Sequence, residues 1–186
     1  LCILIFTFPL IIIAAFLIKL EDKGPIFYTQ IRNGFEGRQF KIIKLRTMII
    51  NAEKDGIQWS KESDNRITKI GRILRKLRID ELPQLLLVLS GEMSLIGPRP
   101  ERPKFDDLLR EHIPNYDLRY SIKPGISGWA QVNFPYGASI EDSKLKLSYD
   151  IYYIKNFSIF LDFMIFFKTL KLVLNGKGST PINKKN

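Results

Sequence analysis

The first eighteen residues, Leu1 to Ile18, carry no charged side chain, and Pro9 sits in the middle of them. As a helix, at about 1.5 Å per residue, this run is roughly 27 Å long, close to the ~30 Å hydrocarbon core of a bilayer. A membrane segment is therefore favoured over a buried core helix. Proline has no backbone donor and crowds the turn before it, so a kink or a break is expected at Pro9. Two arrangements stay open: a kinked crossing, or an entry that turns at Pro9 and leaves on the same side. Either way, backbone groups freed at depth must be satisfied locally or by protein. No basic leader and no small-residue cleavage site mark the run as a signal peptide. The chain opens on Leu1 rather than Met, which leads to the expectation of further sequence upstream.

The remaining residues limit the chemistry. A chain of 186 residues suits one ordinary domain with a core of its own. Lys plus Arg number 29 against 19 Asp plus Glu, for a formal charge of +10. With 45% hydrophobic residues, the chain is too apolar for disorder. The single Cys2 excludes an internal disulfide. One Cys and one His leave no Cys/His zinc tetrad, and nucleophilic triads must use His112 or nothing.

Past Lys19 a polar turn, Glu21 to Pro25, leads into strand-like Ile26–Tyr28 and Phe40–Ile43, with Gly34 and Gly37 at the turn between them. Residues 51–65 read as loop or irregular helix, with Trp59 as a packing anchor. Ile67, Ile70, Leu74 and Leu77 recur at helical spacing and predict an amphipathic helix over 66–78. Pro83 suits the first turn of a new helix, which Ser90-Gly91 ends. Gly97-Pro98-Arg99-Pro100 and Lys123 to Trp129 are stiff loops. Helices are expected over 102–113 and 140–155. Residues 157–174 are very apolar but are interrupted by Asp162, Lys168 and Lys171. That pattern fits a helix lying in a membrane interface with its lysines snorkelling, or else a core helix. The polar end, 175–186, reads as a tail.

Asp80-Glu81 is the leading chemical candidate. Acidic residues at a helix start are often only structural. Here they follow Arg75 and Arg78, which share a helix face, and Arg99 lies in a rigid proline turn. Arginines on stiff backbone suit phosphate clamps. The amides of the next helix would be open to an anion, and a carboxylate there can anchor Mg²⁺ against substrate phosphates. Net positive charge also fits nucleic acid, but no zinc finger, KH-type loop or RRM aromatic motif is present, so nucleic acid is set aside. A basic surface beside a membrane segment meets anionic phospholipid instead. Neither a P-loop nor a GxGxxG fingerprint occurs.

Taken in order, several blocks make the chain resemble the bacterial sugar transferases. They are Gly24-Pro25-Ile26-Phe27-Tyr28-Thr29-Gln30, Phe40 to Met48, Asp64 to Arg72, Asp80-Glu81-Leu82-Pro83-Gln84-Leu85, Gly91 to Pro100, and Lys123 to Trp129. With the 149–174 region, the similarity runs from residue 1 to about 178. The family comprises monotopic polyprenyl-phosphate sugar-1-phosphate transferases. The resemblance implies a donor, commonly a UDP-sugar, that passes sugar-1-phosphate to polyprenyl (undecaprenyl) phosphate through an ester on an aspartate, with Mg²⁺ required. It implies Asp80 as nucleophile, Glu81 as its partner, and both as candidate metal ligands. Lys44, Arg46, Arg75, Arg78 and Arg99 become the candidates for phosphate or substrate binding. Many relatives have small polar residues where Leu77-Arg78-Ile79 stands, and often serine where Phe8 stands.

The implied fold is α+β and mostly helical, with a re-entrant helix-break-helix element broken at Pro9, a short strand hairpin and amphipathic interfacial helices. Residues 1–20 would form the membrane element and 21–178 a catalytic domain on the cytoplasmic face of the bacterial inner membrane. An interfacial helix near 157–174 and a polar tail over 179–186 complete it. The 149–162 region looks like that of larger members, of which this would be the catalytic portion. Self-association stays open. An aspartate of ordinary acidity (about 4) would be ionised at neutral pH and ready to attack. A scaffold that has lost turnover is the competing class, and the intact acidic pair argues against it.

Overall fold

The structure, a computed structural model, describes residues 2–54, 56, 64–134 and 139–176. Trp59 and the tail at 179–186 lie outside the described residues. Helix α1 covers Cys2–Asp22. Strands β1 (Phe27–Asn33) and β2 (Gln39–Leu45) follow. Helices α2 (Lys69–Lys76) and α3 (Leu85–Leu89) flank a 3-10 turn, Ile79–Gln84. Strand β3 is Ser94–Ile96, α4 is Pro103–His112, and a second 3-10 turn is Tyr116–Tyr120. Strand β4 (Gly125–Ser127) and helices α5 (Trp129–Asn133), α6 (Ile140–Asn156) and α7 (Ile159–Leu174) complete the chain. The mostly helical α+β architecture with a strand hairpin is the expected one.

Helix α1 is continuous, with Pro9 inside it rather than at an interruption. Proline deprives the Ile5 carbonyl of its i+4 donor, yet the flanking apolar residues keep helical backbone on both sides. The stretch Leu4–Asp22, at mean hydropathy 2.2 and 11% buried, is long and apolar enough to cross a membrane. Its first half exposes Ile5, Phe6 and Phe8, whereas Ala14 and Ile18 are buried against Leu45 and Leu74. The charged end of α1 is bound to the body of the domain. Glu21 accepts from the amides of Lys69 (2.8 Å) and Ile70 (3.3 Å) at the start of α2. Thr68 caps the same helix by accepting from Gly71 N–H at 2.9 Å.

β1 and β2 pair antiparallel from Phe27↔Leu45 to Asn33↔Gln39. β3 and β4 form a second, parallel pair, Ser94↔Gly125 and Ile96↔Ser127, that links the two stiff loops. Three-residue strands carry no readable alternation, so the sequence does not predict this pair. It depends on Gly125, where an added Cβ would lie 2.1 Å from the Gly97 nitrogen.

α7 has two different faces. Leu161 and Ile165 are buried with Tyr153, packed by Trp129 and Met164. Phe160, Phe163 and Phe167 stand exposed on the other side. Two of its polar interruptions turn inward, and Lys171 is exposed: Tyr153 donates to Asp162 at 2.7 Å, and Lys168 donates to Asn133 at 2.5 Å while lying 4.8 Å from the Trp129 ring centre. The core reading therefore holds for one side of α7, and the other side is an exposed apolar face. Lys168 does not snorkel, because its ammonium is spent inside the domain.

Truncation should separate the faces. Ile165→Ala should lower unfolding stability by roughly 2–5 kcal/mol. Phe163→Ala in detergent should change it by less than about 0.5 kcal/mol, as at a surface site. Denaturant titration of both variants checks this, and equal losses would place the Phe face in the core.

Candidate active site

The acidic pair is placed by how α2 ends. Arg78 has left-handed backbone (φ 54°), an uncommon state for a side-chain-bearing residue, and it reverses the chain after α2. The 3-10 turn that follows carries Asp80 and Glu81, each less than a tenth exposed. This turn runs straight into α3, and Leu85 N–H is bonded to the Leu82 carbonyl. The expectation of open amides at a new helix start is thus corrected: continuity of the two turns uses them internally.

Glu81 is held from three directions. Lys44 on β2 donates to Oε1 at 2.7 Å. Arg99 approaches both oxygens, at 2.5 and 3.4 Å, and Arg78 reaches Oε2 at 3.3 Å. Arg75 donates its Nε to Thr47 at 2.8 Å and acts on Asp80 by its charge. This proximity requires Gly71, since a Cβ there would lie 2.1 Å from the Thr47 carbonyl oxygen. Lys44, Arg75, Arg78 and Arg99 therefore surround two carboxylates. The surplus of positive charge suits a polyanion such as a diphosphate.

The two carboxyls have opposite acidities. Burial pushes Asp80 up and the Glu81 charge adds to this, while Lys44, Arg75 and Arg99 oppose; the result is about 6. Burial also acts to raise Glu81, but Arg99, Lys44 and Arg78 outweigh it and hold Glu81 well below the usual carboxylate range. Burial lowers Lys44 to about 8, although Glu81 and Asp80 favour its charge. Asp80 is thus a weaker acid than the ordinary value implied, because the sequence does not report its burial. Paired carboxyls with separated acidities are a recurrent arrangement at catalytic sites.

Arg46 is placed elsewhere. It is buried and bonded to both Asp22 oxygens, to the Pro25 carbonyl at 2.5 Å and to the Met48 carbonyl at 3.1 Å. It ties the end of α1 to the hairpin and is not among the cations around Glu81. Thr47, which orients Arg75, was not singled out from sequence; only its place between Arg46 and Met48 in a matching block could have pointed to it. Pro9 lies in the exposed half of α1, apart from this cluster.

Among the described residues no three His, Cys, Asp or Glu side chains group to hold a metal. Mg²⁺ often binds through one carboxylate, water and substrate phosphate, and needs no such group. Asp80 fits that use. Glu81 fits it less well, because both its oxygens face cations.

Residues 1–176 match the family described as bacterial sugar transferase. A UDP-N-acetylgalactosamine-undecaprenyl-phosphate N-acetylgalactosaminephosphotransferase of Aeromonas hydrophila is 50% identical over 92% of this chain and 40% of its own length. A UDP-glucose:undecaprenyl-phosphate glucose-1-phosphate transferase of Caulobacter vibrioides is 42% identical over 89% of this chain and 63% of its own length. The chain thus spans less than two thirds of either relative. The uncharacterized sugar transferase EpsL of Bacillus subtilis is 39% identical over 95% of this chain and 84% of its own length.

Replacing Glu81 by Gln removes the charge that raises Asp80 and keeps an amide oxygen to which Lys44 or Arg99 can still donate. The Asp80 midpoint should therefore fall below about 6, as read by carbon-13 NMR of aspartate-labelled protein in detergent. A midpoint that stays put would assign the whole shift to burial.

Proposed function

The chain belongs to the bacterial sugar transferase family, and from that premise we propose that it transfers sugar-1-phosphate from a UDP-sugar to polyprenyl phosphate, releasing UMP. The observation that carries the reading is the pairing of Asp80 with a cation-held Glu81 inside a surplus of basic groups. Glu81 stays ionised and keeps Lys44, Arg78 and Arg99 in place. Asp80 is left as the carboxylate with nucleophilic potential, and at neutral pH most of it is ionised.

In the proposed first step an Asp80 oxygen attacks the donor's β-phosphorus. A phosphorus–oxygen bond to Asp80 forms, and the bond to the UMP oxygen breaks. In the second step an oxygen of polyprenyl phosphate attacks the same phosphorus, and the aspartyl bond breaks to regenerate the carboxylate. Covalent catalysis divides one difficult transfer in two. Arg75 and Arg99 stabilise charge on the transferring phosphoryl group, the role in which fixed cations contribute most. Asp80 is the residue that would hold Mg²⁺, which would add positive charge for the substrate phosphates.

The acceptor is a lipid, and the apolar surface fits its location. The exposed first half of α1 and the phenylalanine face of α7 seat the domain on an anionic phospholipid membrane. The proposed site is the cytoplasmic face of the bacterial inner membrane. The relatives' names make N-acetylgalactosamine and glucose the first sugars to test.

With a matching UDP-sugar labelled in its β-phosphate and no acceptor, the wild type should take label onto the peptide containing Asp80, with an equivalent burst of UMP. Undecaprenyl phosphate in nanodiscs should then move the label to lipid. Asp80→Asn should form no adduct and lose turnover by roughly 10⁴-fold or more, as when a nucleophile is removed. Robust turnover without any adduct would replace the two-step scheme by direct transfer.

The first half-reaction should show a bell-shaped pH profile, and reading it without acceptor excludes the lipid phosphate's own titration. Asp80 must be ionised, so the rate rises with pH through about 6. Lys44 must be charged to hold Glu81, so the rate falls as pH passes about 8. Lys44→Arg keeps its charge in this range and should remove the alkaline limb. An unchanged limb would assign it to another group.

A further inference from the structure

Arg99 reaches Glu81 from a turn in which the carbonyls of Pro98, Arg99, Pro100 and Glu101 each accept a hydrogen bond. Gly125 N–H donates to the Pro98 carbonyl at 2.9 Å and Asn33 N–H to that of Glu101 at 3.0 Å. Arg32 donates to the Pro100 carbonyl at 3.1 Å. The remaining acceptor, the Arg99 carbonyl itself, is taken by Nη2 of Arg119 at 2.7 Å.

Arg119 is an unexpected donor for a neutral carbonyl. Its side chain is 3% exposed, and Asp150 on α6 is its ion-pair partner, at 3.1 Å from the same Nη2. Nη1 donates to the Tyr116 hydroxyl, and the guanidinium lies 5.1 Å from the Tyr116 ring centre and 5.8 Å from that of Tyr120. Nε, fully buried, has no hydrogen-bond partner among the described residues. A guanidinium serving only to neutralise Asp150 would face it with its two-pronged edge. Here Nη2 alone is shared between Asp150 and the Arg99 carbonyl, Nη1 is turned to Tyr116, and an orphaned donor is tolerated. What this sharing secures is the backbone that aims Arg99.

We infer that Arg119, backed by Asp150, is a positioning residue for the proposed transfer, fixing the Arg99 main chain so that its guanidinium meets Glu81 and the donor phosphates. It touches neither carboxylate of the acidic pair and acts only through Arg99. The inference rests on the proposed activity for its kinetic readout, but not for its readout of Arg99 mobility.

The informative variant is Arg119→Lys, which keeps the charge and loses the fork. In the ligand-free full chain the Arg99 guanidinium, held on Glu81 at 2.5 and 3.4 Å, should be rigid in the wild type and mobile in Arg119→Lys, by nitrogen-15 relaxation of its Nε. The kcat/KM for UMP release should fall tenfold or more, and Arg99→Lys combined with Arg119→Lys should be no worse than Arg99→Lys alone. An Arg99 guanidinium equally rigid in both proteins, or losses that multiply in the double variant, would overturn the inference. Should Arg119→Lys fail to fold, Asp150→Asn serves, with the same readouts and the same overturning results. Absence of any transferase activity in the wild type would instead refute the proposed function and leave the mobility arm standing.

Discussion

A buried carboxylate held by three cations organises this protein. Glu81, 6% exposed, is stable as an anion there only because Lys44, Arg78 and Arg99 meet it. Those cations come from the second strand of the hairpin, the reversal after α2 and the proline turn after β3. Satisfying one side chain therefore brings two distant segments, the hairpin and the proline turn, to the turn after α2. Removing the anion would leave buried cations uncompensated, which is the costlier half of such an arrangement. The same gathering of charge places Asp80 among cations without giving it one of its own.

The surroundings are rigid. Gly71 and Gly125 mark two places where backbone meets backbone too closely for any side chain. The first lets α2 lie on Thr47, and the second joins the two stiff loops as parallel strands. Polar groups of the turn that carries Arg99 are bonded one by one, to main chain on one side and to guanidinium groups on the other. A site that must stabilise developing charge gains from such fixity, because its dipoles and charges need no rearrangement during reaction.

Much of this was legible in the residues. Gly34 and Gly37 marked the hairpin turn, and the spacing of Ile70 and Leu74 marked α2, although the helix is shorter than the 66–78 that the pattern implied. The Asp80-Glu81 pair stood out beside its arginines. What stayed hidden depended on depth and on distant partners. Arg46 reads like any basic residue in a strand until Asp22 is found against it. The acidity of Asp80 follows from burial, and β3 and β4 are too short for periodicity to show. For α7 the core reading holds on the face of Leu161 and Ile165, while Phe160, Phe163 and Phe167 leave the opposite face apolar and exposed, a division that composition alone does not show.

The capping of α2 by Glu21 has a mechanical consequence. Asp22 is clamped by Arg46 at the same helix end, so α1 is riveted both to the hairpin and to the helix that bears Arg75. No slack linker separates the apolar rod from the charged cluster. The position of α1 therefore sets the position of Asp80, because the apolar rod and the turn that carries the carboxylate share the same anchors.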